Sequence, residues 1–264
     1  MKISVLTPSY NSGKYIERAI QSVLRQNYSE YEHIIVDGGS TDQTLEILAI
    51  YPHLRWISEP DRGQSDAMNK AFTLSTGHII VYLNADDEFE SGAFSTIIKE
   101  FEENLAVDFV VGKLRIVVPP NTYFRTATDQ YSDILKYWLH QFPANPVSYF
   151  YRRKVQQEIG AFPLDRYYTM DIWFILLVYQ NFNIKKIDLT LGTFYFTGTN
   201  KTATGDTNKN LHREITRHLI KKDQLKLVWF FYHWVLFRYW RSGTIKTKLK
   251  KIQAAITHRL KQLL

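Results

Sequence analysis

Short apolar runs, each closed by a polar turn and followed by a helical pattern, constrain this chain more than any other feature. The runs are Ile3–Leu6, His33–Val36, Leu54–Ile57, Ile79–Leu83 and Phe109–Val111. After the first, Ile16, Ala19, Ile20, Val23 and Leu24 recur at the spacing of one helix face. Thr44–Ile50 reads as a short helix that Ser40 or Thr41 can cap, and Ser65 can cap the next, which carries Ala67, Met68, Ala71 and Phe72. Phe94, Ile97, Ile98 and Phe101 mark one more helix face. This alternation predicts an α/β fold, an open, mostly parallel twisted sheet flanked by crossover helices.

Sheets of this kind bind ligands beyond the carboxyl ends of their strands. Tyr10-Asn11, Asp37-Gly38-Gly39 and Asp86-Asp87 each follow a strand, so the three clusters are expected on one edge. Downstream of Gly112 the pattern is less regular. Val117–Asn121 is a turn, Asp133–His140 a helix, and Asp171–Tyr179 a very apolar helix that opens on an acid. Thr197–Gly205 has the small, polar composition of a loop.

The polar clusters bound the chemistry. Adjacent carboxylates repel, so Asp86-Asp87 calls either for a cation or hydrogen-bond donors, or for the solvation of an ordinary turn. Hard divalent ions take oxygen ligands, commonly one or two carboxylates plus substrate phosphate. Gly38 and Gly39 allow close backbone approach to a ligand, although an isolated turn of this composition is also common. The stretch Glu59–Lys70 sets charged and amide side chains at a helix start, which reads as an anion site or as a polar loop. Asp171 lies among Tyr167, Tyr168, Trp173 and Phe174. Such a setting suits a general base, and a first-turn acid favoured by the helix dipole explains it as well. With no cysteine in 264 residues, disulfides and Cys-ligated zinc are excluded, and any metal must sit on oxygen or imidazole.

Four segments taken in order are more specific than any one alone. Thr7-Pro8-Ser9-Tyr10-Asn11, Val36–Asp42, Glu59–Lys70 and Leu83–Asp87 closely resemble the family 2 glycosyltransferases of GT-A fold, a match over 1–205. The resemblance implies an inverting transfer of a sugar from a nucleotide-diphosphate sugar, usually a UDP-sugar, to an acceptor hydroxyl. It implies that Thr7, Pro8, Tyr10 and Asn11 line the nucleoside pocket and that Asp37, beside Gly38 and Gly39, contacts the base. Asp86 and Asp87 correspond to the family's metal site, with Asp86 facing ribose or metal and Asp87 holding Mg2+ or Mn2+. Gly63 to Lys70 would run beside the diphosphate and donor sugar, with Asp66 a sugar contact. Asp171 matches the catalytic base. One position departs from the pattern: where relatives carry a histidine this chain has Thr197, leaving that role vacant or to Lys201. A non-catalytic nucleotide-sugar-binding component of a polysaccharide assembly complex is the alternative reading.

Charge divides the chain into a domain over 1–208 and a tail over 209–264. The tail holds 14 Lys and Arg against Glu214 and Asp223, whereas the preceding part carries 19 basic and 24 acidic groups. Within the tail, Leu227–Phe237 is an apolar and aromatic block bracketed by Lys221, Lys222, Lys226, Arg238 and Arg241. It is shorter than the roughly 18 apolar residues a spanning helix needs, and it suits an amphipathic helix on an anionic membrane surface. Helices packing on the domain or on a second subunit compete with that reading, and a nucleic-acid partner is not expected. Only four strand-like residues precede Thr7-Pro8, too few for a secretory signal. The expected setting is therefore the cytoplasm, peripheral on the inner face of the cell membrane, with a glycan or lipid-linked acceptor. Removing 209–264 should release the protein from anionic liposomes in a sedimentation assay, and unchanged co-sedimentation would remove the membrane role.

Overall fold

The computed structural model describes residues 1–137, 141–198, 200 and 214. Its framework is a sheet in which β1 (Ile3–Ser9) pairs in parallel with β2 (Tyr31–Asp37) on one side and β4 (Ile79–Tyr82) on the other. β3 (Leu54–Ser58) lies outside β2, again parallel. The crossovers are α1 (Ile16–Leu24), α2 (Thr44–Ile50) and α3 (Gln64–Leu74). The chain steps outward from β1 to β3, and α3 then returns it to the opposite side of β1. That reversal opens a crevice at the carboxyl ends of β1 and β4, the place where such sheets bind ligands.

The strands read as apolar runs because both faces are covered. Ile3, Val5, Ile79 and Val81 are fully buried with Phe94, Ile97 and Phe101 of α4 (Ala93–Glu103). Ile35 packs in a second cluster with Ile16, Ile20 and Leu48 from α1 and α2. β1 runs three residues past the expected Leu6, because Thr7↔Ile35 and Ser9↔Asp37 continue the parallel ladder. Thr7 tolerates complete burial by bonding His33 Nε2 through its hydroxyl at 3.0 Å.

The second half of the sheet is mixed, not mostly parallel. β6 (Phe109–Val118) turns at Pro119-Pro120, as expected, into antiparallel β7 (Asn121–Thr126). β8 (Tyr149–Arg152) is antiparallel to both β4 and β6 and joins the two halves. β9 (Ile184–Tyr195) runs parallel to β6, and the two-residue β5 (Glu88–Phe89) pairs antiparallel with β9. β9 escapes an apolar-run search because Lys185, Lys186 and Asp188 interrupt it. The helices of this half are α5 (Tyr131–Tyr137), α6 (Arg153–Ile159) and α7 (Met170–Asn181). α7 is apolar all round because Phe174, Ile175, Leu176 and Val178 are completely buried.

Two expected caps are corrected. α2 starts after Gln43, not at Ser40 or Thr41, and α3 starts after Gly63, which leaves Ser65 inside the helix. Gly63 has φ +97°, a torsion that disfavours side chains, so the glycine fixes where α3 begins.

Residues 138–140 of the expected Asp133–His140 helix, the Thr197–Gly205 loop apart from 197, 198 and 200, and the basic tail lie outside the described residues. Glu214 is the described exception. It is buried, its carboxylate pairs with Arg166, and it accepts a hydrogen bond from the Thr169 hydroxyl at 3.2 Å. The packed unit therefore extends past residue 208, and a truncation that spares this pair starts after residue 215. Among the described residues no helix is long and apolar enough to cross a membrane.

At the opposite end of the sheet from the crevice, Glu32 ties three segments together. Its carboxylate accepts from Lys2 Nζ at 2.8 Å, Ser4 Oγ at 2.6 Å and the Thr76 N–H at 2.6 Å. Burial alone would raise this acid, but those bonds and the Lys2 charge outweigh it and lower it to about 2. A depressed carboxylate contributes stability that is present above its unfolded value near 4.5 and is lost as pH falls toward 2. Glu32→Gln should cost on the order of 1–2 kcal/mol at pH 7, after allowance for solvent screening, and the difference from the parent should shrink below pH 4 in urea titrations.

Candidate active site

Strand ends and helix starts supply the polar groups around the crevice. β4 ends at Tyr82 and leads through Leu83-Asn84-Ala85 to Asp86-Asp87. Asp87 is completely buried. Its Oδ2 accepts from Asn145 Nδ2 at 2.7 Å and Asn84 Nδ2 at 2.9 Å. Its Oδ1 is buried and makes no hydrogen bond among the described residues. Tyr195 N–H approaches the carboxyl without reaching hydrogen-bond geometry. Burial first, and the charge of Asp86 second, push the Asp87 carboxyl well above the usual carboxylate range.

Asp86 is held from two sides. Its Oδ2 accepts from Asn200 Nδ2 at 2.6 Å, and its backbone carbonyl accepts from Arg18 Nη2. Burial raises this acid too, while the Asn200 amide and the Arg18 charge offset part of the rise. The Arg18 guanidinium lies 3.6 Å from the centre of the Tyr195 ring, whose hydroxyl donates to Glu88. Thr197 does not reach the acidic pair itself. Its N–H and hydroxyl donate to Asn200 Oδ1 at 2.5 and 2.9 Å, which turns the Asn200 amide toward Asp86. In this segment Asn200 is thus the residue that meets the acids, whereas Lys201 lies outside the described residues.

Two helix starts are linked to the turn that carries this pair. Gln64, first in α3, donates to Asn84 Oδ1 at 3.1 Å. The next residue, Ser65, donates to the Met170 sulfur at 2.9 Å and so ties the start of α3 to the start of α7. Asp171 follows Met170, partly exposed, with Oδ1 accepting from the Ile172 N–H at 2.8 Å. Asp171 also acts on the buried Tyr149 hydroxyl, which burial first and this charge second hold well above the usual phenol range.

The remaining expected residues range from exposed to completely buried. Tyr10 presents a ring that is 64% exposed, while Pro8 and Thr7 are buried within β1. Asn11, at φ 47°, latches the β2 loop by accepting from the Thr41 N–H at 2.9 Å and donating its own N–H to Ser40 Oγ at 2.7 Å. Asp37 is completely buried and accepts from the Gly39 N–H, the Ser40 N–H, the Ser40 hydroxyl and the Ser58 hydroxyl. These bonds hold the Gly39-Ser40 turn and Ser58 of β3 around the carboxylate. The carboxylate that packs over this strand end is Asp61, since a Cβ on Gly38 would come within 2.8 Å of Asp61 Oδ2. Gly39, at φ +83°, lies beside Pro60. Asp66 is bound by Arg62 at 3.3 Å and Lys70 at 3.7 Å, and Lys70 also pairs with Glu59 at 2.7 Å.

Sequence reasoning assigned no role to Arg18, Asn145 or Asn200. Arg18 sits on an ordinary helix pattern, and Asn145 precedes Pro146 in a dipeptide that signals only a turn. For Mg2+ or Mn2+ the donor set fits: two adjacent carboxylates, one with a buried oxygen that makes no hydrogen bond among the described residues. Among the described residues no cluster of three His, Cys, Asp or Glu could hold an ion alone, so remaining ligands would come from substrate oxygen and water.

The family model described as "Glycosyl transferase family 2" matches residues 4–162, which include the sheet switch and the acidic pair. The chain belongs to glycosyl transferase family 2. Curated relatives of this glycosyltransferase include a PGL/p-HBAD biosynthesis glycosyltransferase of Mycobacterium bovis, 32% identical over 64% of this chain and 66% of that one. Another is the chondroitin synthase of Escherichia coli, 38% identical over 40% of this chain but 16% of that one. An uncharacterized Nostoc glycosyltransferase is 29% identical over 62% of this chain and 54% of its own length, so the chain spans about half or less of several curated relatives. Among solved structures, Staphylococcus aureus TarS 1–349 in complex with UDP-GlcNAc matches with a TM-score of 0.69 at 22% identity, covering 83% of this chain and 67% of that one. The mannosyltransferase PcManGT of Pyrobaculum calidifontis, in complex with GDP-Man and Mn2+, matches with a TM-score of 0.56 at 18% identity over 84% and 64%. At these identities the structural matches establish the GT-A-like fold.

Asp37 separates a structural role from a ligand-binding one. Asp37→Ala strands four donors in a buried loop and should lower the unfolding free energy by about 3 kcal/mol or more in urea titrations. A variant as stable as the parent would show that the carboxylate does not hold this loop.

Proposed function

We propose that this protein is a metal-assisted, inverting glycosyltransferase that moves a sugar from a nucleotide-diphosphate sugar, best a UDP-sugar, to an acceptor hydroxyl. The observation that carries the reading is the Asp86-Asp87 pair, Asp87 completely buried and Asp86 partly so, at the switch between β1 and β4, tied through Asn84, Gln64, Ser65 and Met170 to Asp171. TarS in complex with UDP-GlcNAc and PcManGT in complex with GDP-Man and Mn2+ support the donor class.

Each group of this chain then has a defined task. The exposed Tyr10 ring offers a stacking face for the nucleobase, at the rim that Asp37, Asn11 and Ser40 hold rigid. The positive end of the α3 dipole favours the donor's anionic end. Asp86 and Asp87 would hold Mg2+ or Mn2+, which offsets charge on the departing diphosphate. Asp171 accepts the proton of the acceptor hydroxyl while that oxygen attacks the anomeric carbon from the face opposite the leaving group. The bond to the diphosphate breaks as the new glycosidic bond forms, so one displacement inverts the centre without a covalent enzyme intermediate. Fixed positions do most of this work, because neither partner has to be ordered at the moment of reaction.

The acceptor is a glycan or a lipid-linked glycan in polysaccharide assembly, and the basic tail beyond residue 215, on an anionic membrane, would bring the enzyme to such acceptors. The chondroitin synthase relative supports the glycan class.

Incubation with Mn2+, a panel of nucleotide-sugars and glycan acceptors should release a nucleoside diphosphate, and no release or binding of any nucleotide would end the transferase reading. Asp171→Asn should lower kcat by at least 1000-fold while the donor Kd stays within about threefold. A large loss of donor affinity in that variant would show that Asp171 is not the base.

A further inference from the structure

The acidic pair is framed by three asparagine amides from three separate parts of the chain. Asn84 and Asn145 both donate to Asp87 Oδ2, and Asn200 donates to Asp86 Oδ2. Asn145 differs from the other two in how firmly its amide is set. Its Oδ1 accepts from the Val147 N–H at 2.9 Å, capping the short turn Pro146–Ser148. Its backbone carbonyl accepts from the Ser148 hydroxyl at 2.7 Å and from the Ser148 N–H at 3.1 Å. With its oxygen fixed by Val147, only the NH2 group can face Asp87. The residue is 5% exposed, so water does not compete for that bond.

The consequence for Asp87 is directional. Two donors on Oδ2 fix the rotation of the carboxyl group and leave Oδ1, buried and without a hydrogen bond, as its open lone-pair site. A buried acceptor left unsatisfied costs free energy unless something fills it. A divalent cation is the filler that this donor set fits.

We infer that Asn145 is a positioning residue that orients Asp87 through Oδ2, so that Oδ1 is presented to the divalent cation. It does so from a segment 58 residues further along the chain. The inference rests on the metal role of Asp86-Asp87 proposed above. It assigns Asn145 no contact with substrate. Outer groups of this kind, once removed, typically weaken metal affinity by about 10- to 100-fold.

The test compares Asn145→Ser with the parent. Serine keeps an acceptor for the Val147 N–H and is too short to reach Asp87, so the turn is preserved while the Asp87 bond is lost. Mn2+ binding is measured by electron paramagnetic resonance in the presence of UDP without acceptor, alongside thermal unfolding in a metal chelator. The expected result is a 10- to 100-fold weaker Mn2+ affinity with an apo melting temperature within a few degrees of the parent. Mn2+ affinity within twofold of the parent would overturn the inference and leave the metal site standing. If the parent itself binds no Mn2+ under these conditions, the metal reading fails and the inference with it. Should Asn145→Ser melt far below the parent, Asn84→Ala, which removes the other Oδ2 donor from a different segment, is measured the same way. Loss of Mn2+ affinity there supports orientation through Oδ2, and unchanged affinity overturns it.

Discussion

A carboxylate with complete burial and a second carboxylate as its neighbour is the costliest arrangement in this fold, and much of the surrounding structure serves to hold it. Asp87 would not stay at the end of β4 without donors, because burial and the Asp86 charge both oppose its ionisation. Its donors come from Asn84 on the same turn and Asn145 before β8, while Asn200 after β9 donates to the neighbouring Asp86. Three parts of the chain thus meet at one pair of acids. The mixed half of the sheet brings two of them there: β8 lies next to β4, and β9 pairs with β5 just beyond Asp87.

The parallel half contributes something different. Its strands bury both faces and its crossovers leave a crevice where β1 and β4 diverge. The rim of that crevice is stiffened by buried polar groups, not by apolar packing. Asp37 gathers the Gly39 to Ser40 turn and Ser58, and Asn11 bridges to the same turn, so the loops after β1 and β2 are locked to each other. A preorganised rim suits the proposed transfer, which depends on holding a donor still relative to the acidic pair and Asp171. The same economy explains the chain of contacts from Asn84 through Gln64 and Ser65 to Met170, which links the acidic pair to Asp171.

Legibility in the sequence followed the physics of each element. β1, β2, β4 and α1 were readable because doubly covered strands and one-sided helices leave strong periodic patterns. The boundaries failed where polar residues were buried: Thr7 and Ser9 continue β1, and Ser65 lies inside α3. β8 and β9 were missed because one is four aromatic-rich residues after a turn and the other alternates with lysines. Of the site, the acidic pair and Asp171 were visible as acids in unusual places. That Asp37 also accepts four hydrogen bonds from Gly39, Ser40 and Ser58 was not legible, since a sequence cannot show which donors a buried carboxylate meets.

The sequence by itself determined the α/β class, the sheet edge where the site lies, and the family, because these depend on local periodicity and on short motifs with fixed neighbours. Only the tertiary structure decided which groups hold the acids. Asn145 and Asn200 lie 58 and 114 residues from their partners, and hydrogen bonds across such distances leave no periodic trace. An asparagine in a turn looks the same whether its amide faces water or a buried carboxylate. What distinguishes the two is the direction of a bond and the exclusion of solvent, and both arise only when separate strands are brought side by side.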